Sequence, residues 1–163
     1  DVIPAANDGA QLKATGLATG VPGGATIDGI EVRFESYQTG SGLGEETRVQ
    51  LIKAGVGTGT NLQAVQNLTG TPTVYTRGGA ANMWGTTLTD SDVNASNFGF
   101  LIQYSEIDEF DPITAYVDYM QIKVYYTASS GGGSNGAFFI FFFAAGIFCL
   151  KHRRKTYGWD GLG

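Results

Sequence analysis

TIDGIEVRFESY, residues 26–37, decides the fold. Ile30, Val32 and Phe34 alternate with Glu31, Arg33 and Glu35. A period of two gives a strand one buried face and one wet face. Just upstream, Val21-Pro22-Gly23-Gly24 reads as a tight turn, because Pro fixes one dihedral and Gly supplies positive φ at little cost. Residues 11–17 before it form a short strand. Downstream, Thr39-Gly40-Ser41-Gly42 turns the chain into a second strand at residues 48–53, with Val49 and Leu51 inward. The spacing of these two strands is that of an antiparallel pair.

Further along, residues 54–59 are a glycine-rich loop, and residues 61–66 and 71–76 are weaker strands. Residues 78–84 return the chain and end at Trp84, a single large core anchor. Residues 88–93 read as one helical turn, capped by Thr89 accepting the N–H of Asp92. Phe98, Phe100, Ile102 and Tyr104 lie on one face of the next strand. An acidic loop at 106–112 leads into the longest strand, 114–127. Its inward parity shifts from odd (Val117) to even (Met120, Ile122, Val124, Tyr126), which requires a β-bulge near Asp118 and Tyr119. There is no internal repeat.

Composition agrees with this pattern. The 163 residues include 25 Gly and only four Pro, with frequent Thr, Ser and Asn. Seven or eight short strands with turns between them predict an all-β fold, an antiparallel, jelly-roll-like β-sandwich. The chain divides into a sandwich domain at 1–128, a Gly/Ser linker at 129–136, an apolar helix at 137–150 and a basic tail at 151–163. The body is large enough for one well-buried core. Asp1 is read as a processed N-terminus or the edge of a fragment.

Charge separates body from tail. Residues 1–128 carry six bases against fourteen acids, whereas residues 129–163 carry four bases and one acid. An acidic body repels phosphate backbones, so nucleic acid is not an expected partner. Cys149 is the lone cysteine, so no intrachain disulfide forms within this sequence.

The tail has its own logic. Ser129-Ser130-Gly131-Gly132-Gly133-Ser134-Asn135-Gly136 is a flexible spacer. AFFIFFFAAGIFCL follows at 137–150, centred near Phe141, and then come Lys151, His152, Arg153, Arg154 and Lys155. An apolar run ending in bases suits the anionic inner face of a membrane. As a helix, fourteen residues rise only about 21 Å, so a span needs a thin bilayer and snorkelling bases. Membrane insertion through 137–155, permanent or transient, is the expectation. The alternative is self-association of Phe-rich tails.

Two resemblances follow from quoted stretches. VPGGATIDGIEVRFE, MWGTTLTDSDVNASNFGF and TAYVDYMQIKVYYT, spread over residues 11–127, resemble a β-sandwich module of phage tail and fibre proteins and of bacterial surface proteins. That resemblance implies display, adhesion or a virion part, with no catalytic motif and with a first strand truncated before Asp1. Gly131-Gly132-Gly133, the apolar run and Arg153-Arg154 are similar to C-terminal sorting tails of the GlyGly-CTERM type. There the implied event is cleavage near the glycines by an intramembrane protease and transfer to the cell surface. This chain departs from that pattern by running on to Gly163.

Candidates for chemistry are few. The only His is His152, so Ser–His–Asp and Cys–His catalysis and His- or Cys-based zinc sites are excluded within residues 1–128. No phosphate-cradling loop is present. Glu106, Asp108, Glu109 and Asp111 form the densest carboxylate cluster, read either as a Ca²⁺ site or as a solvated loop that discourages edge pairing. No other cofactor is expected. Tyr37, Tyr104, Tyr116 and Tyr119, with Tyr75 and Tyr125, put phenols on sheet faces, where they serve packing or bind a glycan. Asn67-Leu68-Thr69 and Asn94-Ala95-Ser96 are sequons that chance explains in so Thr- and Asn-rich a chain.

Three functions are therefore in play. The first is a non-catalytic surface display or adhesion module, exported to the cell surface or outer envelope and tethered or sorted by its tail. The second is a phage virion or fibre component. The third is a carbohydrate-binding fragment of a larger secreted enzyme.

Overall fold

A computed structural model describes residues 8–17, 19–107, 113–129 and 144–145. The described elements are β1 (Asp8–Thr15), β2 (Thr26–Gly40), β3 (Gly44–Lys53), β4 (Val56–Thr58), β5 (Thr73–Gly78), α1 (Asp90–Asn94), β6 (Gly99–Glu106), β7 (Ile113–Thr127) and β8 (Ala144–Ala145). The strands make two four-stranded sheets, ordered β1-β6-β3-β4 and β5-β2-β7-β8. Every neighbouring pair is antiparallel. The chain is all-β, and one core joins the inner faces of both sheets.

β2 takes the conformation its alternation dictates. Ile30, Val32 and Phe34 are fully buried, while Glu31, Arg33 and Glu35 are only half-buried on the other face. The turn before it closes with Ala25 N–H donating to Pro22 O at 3.2 Å. Gly24, at φ +78°, supplies the left-handed position that such a turn needs. Val49, Leu51, Phe98, Phe100 and Ile102 from the facing sheet complete the centre of the core.

The expected pairing of β2 with β3 is not made. β2 bonds to β5 and β7, and β3 bonds to β4 and β6, in the other sheet. The chain crosses between sheets at Ser41-Gly42-Leu43. The Gln38 side chain holds this corner, donating to Gly42 O at 2.6 Å and accepting from Gly44 N–H at 2.8 Å. Facing strands and paired strands show the same alternation, so periodicity alone does not separate them.

Residues 61–66 form no strand. Their backbone runs beside β3, with Leu62 N–H donating to Val49 O at 2.8 Å and the Asn61 side chain accepting Val49 N–H at 2.8 Å. A side-chain oxygen thus replaces the acceptor a neighbouring strand would offer, and only an isolated bridge, Glu45 to Asn67, follows. The strand expected at 71–76 lies at Thr73–Gly78.

Trp84 is the anchor the sequence promised. It is 1 % exposed, and its Nε1–H donates to Ile30 O at 2.9 Å. Its backbone sits at φ +56°, a costly position for a bulky residue. Asn82 Oδ1 holds it there by accepting Trp84 N–H at 2.8 Å. Gly78, at φ +80°, passes so close that any Cβ would strike Ile30 O and come within 2.7 Å of the indole nitrogen.

α1 begins as expected. Thr89 accepts Asp92 N–H while the Asp92 carboxylate accepts Thr89 N–H, a reciprocal capping box. Lys53 joins it through an ion pair to Asp92 at 2.9 Å. Against a burial penalty, Lys53 and Thr89 hold the Asp92 carboxyl below its ordinary value. The bulge in β7 also stands where parity required it: Glu35 pairs with Tyr119 and Ser36 with Val117, leaving Asp118 as the extra residue.

The helix expected at 137–150 lies outside the described residues apart from Ala144–Ala145, as do the basic tail and, apart from Ser129, the linker. Ala144 and Ala145 pair as a strand with Tyr119 and Met120 of β7. Among the described residues, no helix is long and apolar enough to cross a membrane.

Candidate binding face

The outer face of the β5-β2-β7 sheet carries most of the tyrosines singled out above. Ser36 and Gln38 point inward from β2, so Tyr37 points outward, and Tyr116 lies directly opposite it in β7. The two rings stack, with centroids 4.8 Å apart and planes 10° from parallel. Such a pair adds roughly 0.5–1.5 kcal/mol beyond its area burial. It also forms an aromatic ledge, half-buried, on the outer sheet face.

The bulge shapes what surrounds this ledge. It puts Asp118 and Tyr119 in succession at the outer side, with Tyr119 opposite Glu35. Burial of its ring, followed by the charges of Asp118, Tyr116 and Glu35, raises the Tyr37 phenol above its ordinary value, so the ring stays protonated as a donor. Further along, Glu31 stands opposite Lys123 and Arg33 opposite Gln121. Tyr125 donates its hydroxyl to Glu31 Oε2 at 3.0 Å, and the Lys123 ammonium lies 4.4 Å from the Tyr125 ring centroid. The face therefore combines ring surfaces, carboxylate acceptors and fixed cations, which are the groups that grip a polyhydroxylated ligand.

Tyr104 does not belong to this face. It lies in the other sheet, points into the core and is 3 % exposed, with its hydroxyl 2.7 Å from Ser36 Oγ. Burial pushes its phenol far up, against the opposing bond from Ser36. Tyr75 is likewise in the core, and its buried hydroxyl has no hydrogen-bond partner among the described residues.

The carboxylate cluster divides differently. Glu106 ends β6 opposite Gly44, whereas Asp108, Glu109 and Asp111 lie outside the described residues. Among the described residues, no group of three or more His, Cys, Asp or Glu side chains is placed to hold a metal ion. Gly131, Gly132, Gly133, Phe141, Lys151, Arg153, Arg154 and Lys155 also fall outside them. Of the sequon asparagines, Asn94 is engaged through its amide with Thr19 and with both backbone groups of Val21.

One polar centre is not evident from motif reading. Glu46 is buried at 2 % exposure, and Arg77 grips it through Nε and Nη2 at 2.9–3.1 Å. Ala64 N–H adds a bond to the same carboxylate at 2.8 Å. The guanidinium lies 5.7 Å and 5.8 Å from the Tyr75 and Phe34 ring centroids. A register shift between Glu46 and Arg48 turns Glu46 inward. The signal was present as a parity break, since Glu46 is even while the inward Val49 and Leu51 are odd. Burial raises the Glu46 carboxyl above its ordinary value, with Ala64 N–H and Arg77 opposing.

No family model matches this chain, and neither a curated protein nor a solved structure matches it.

Proposed function

We propose that this chain is a non-catalytic display or adhesion module of a cell surface or extracellular assembly. Its sandwich body carries the binding face, and residues 137–155 deliver or tether it at a membrane. The observation that carries the reading is the stacked, half-buried Tyr37–Tyr116 ledge beside Asp118 and Glu35 on the outer sheet face. Ring faces pack against the C–H faces of a sugar, and carboxylates accept its hydroxyls. A glycan is therefore the ligand class this surface fits best. The jelly-roll-like reading of the sandwich belongs to the same proposal and is supported by the equal division of strands between two sheets.

The test is binding of the protein to an array of immobilised oligosaccharides, compared with Tyr37→Ala and Tyr116→Ala. Both residues are only half-buried on the outer face, so each variant is expected to keep the native circular dichroism spectrum while losing binding at least tenfold. Glycan binding that survives both substitutions would remove the ledge from the site. Absence of binding by the unaltered protein to every glycan would remove the ligand class.

A further inference from the structure

Residues 61–67 cover the outer edge of β3 without forming a strand of its sheet, and they are fixed at both ends. At one end Thr60 N–H donates to Trp84 O at 2.6 Å, and Gly59, at φ +73°, lies so close to the same carbonyl that a Cβ would strike it. At the other end Leu68 is buried in the core and its N–H donates to Gly44 O at 2.7 Å, while Thr69 O accepts Gln38 N–H at 2.9 Å. Between these anchors the hold is light. Asn61, Gln63, Val65, Gln66 and Asn67 are exposed, and Leu62 and Ala64 are half-buried. Among the described residues, two main-chain bonds cross from this stretch to β3: Leu62 N–H to Val49 O at 2.8 Å and Glu46 N–H to Gln66 O at 3.3 Å. Side chains supply the rest. Asn61 accepts Val49 N–H at 2.8 Å and donates to Thr47 O at 3.1 Å, and Ala64 N–H donates to the Glu46 carboxylate at 2.8 Å.

We propose that residues 61–67 are a strap that leaves the β3 edge as one unit while both sheets stay closed, and so gates that edge. Segments that open locally have few buried apolar contacts and solvent-exposed bonds, and this stretch has both features. Opening does not strand the buried carboxylate. When Ala64 leaves, Arg77 still grips Glu46 through Nε and Nη2. What opening bares is a row along β3: the N–H groups of Glu46 and Val49 and the C=O groups of Thr47 and Val49. Such a row is the template on which a further strand adds, and a closed strap withholds it. Asn61 is the closing residue, because it bonds β3 at Val49 and at Thr47. Its Oδ1 also accepts Gln63 N–H at 3.1 Å, which bends the strap's own backbone to fit.

Native-state hydrogen exchange of the full chain, followed by NMR at low denaturant, tests the strap. The amides of Glu46, Val49, Leu62 and Ala64 are expected to exchange together, at least tenfold faster than Leu101 in β6. Their exchange should depend less steeply on denaturant, since a local opening exposes less surface. Ile102→Val weakens the core, so it should speed exchange at Leu101 and leave the four strap amides unchanged. Asn61→Ala should speed all four at least tenfold, because it deprives Val49 N–H of its acceptor and frees the segment. Exchange of the four at the Leu101 rate, or their acceleration by Ile102→Val, would overturn the proposal, because the strap would then open only with the whole fold. An Asn61→Ala effect confined to Val49 would overturn it equally, because the segment would not move as a unit.

Discussion

The Glu46–Arg77 pair is the most consequential residue-scale feature, because it is an ion pair held inside a β-sandwich. Taking two charges out of water costs several kcal/mol, which only good geometry and further bonds offset. The two-nitrogen grip of Arg77 and the Ala64 amide supply both. Removing one partner is more damaging than replacing both. Arg77→Ala is therefore expected to lower stability by about 3–5 kcal/mol at neutral pH, by denaturant titration. Because burial raises Glu46 above its ordinary 4.5, the folded state holds this proton more tightly than the unfolded state does. Its stabilisation is full below 4.5 and is lost as pH rises through the folded value. Arg77→Ala removes an opposing attraction and widens that window upward. Its deficit should accordingly be largest at neutral pH and should shrink as the carboxyl protonates. Glu46→Gln should flatten the same pH dependence. A deficit for Arg77→Ala that stays constant from pH 7 to pH 4 would contradict the account.

At the scale of elements, the β7 bulge offers the sharpest test. Val117 and Met120 both point inward, and Asp118 is the surplus residue between two stretches already in register with β2. Deleting Asp118 restores plain alternation without moving either flank out of register. The variant is expected to fold. Deleting Gln121 instead would throw Ile122 and Val124 to the outer face and abolish folding, because a one-residue slip flips every later side chain. The Asp118 deletion should also let the Tyr37 phenol titrate closer to 10.0, since it removes the charge that acts next after burial in raising it. Circular dichroism and ultraviolet titration of tyrosine read the two effects. An unfolded Asp118 deletion would mean that the bulge itself is required. The bulge was legible because a parity break in an apolar pattern has one geometric cause. The tyrosine ledge was only half legible. Tyr37 and Tyr116 are simply tyrosines in two strands until the ladder sets them opposite each other. Tyr104 has an even sequence position like Phe98 and Phe100, so its own strand already marked it as inward.

The whole molecule was legible as layers but not as connections. Alternation identified the inner faces of β2, β3 and β6, and the turn residues marked most ends. Alternation is silent on whether β3 lies beside β2 or across the core from it. That choice was made by a buried corner in which one side chain, Gln38, satisfies Gly42 O and Gly44 N–H. The consequence is a fold stitched by distant pairings: Lys13 lies opposite Leu101, and Thr26 opposite Thr127. Chain entropy must be spent before such contacts stabilise anything, so refolding is expected in the range of milliseconds to seconds. The corner bonds span only four and six residues but are buried, and burial of the corner comes when the sheets close, so they are expected to form late. Gln38→Ala should therefore raise the unfolding rate more than it lowers the refolding rate, as a late-forming contact does. Stopped-flow fluorescence of Trp84, buried between the sheets, follows both rates once Trp159 is replaced by Phe. Refolding within microseconds would deny the topological cost. A Gln38→Ala effect carried wholly by the refolding limb would mean instead that the crossing between sheets is made before the sheets close.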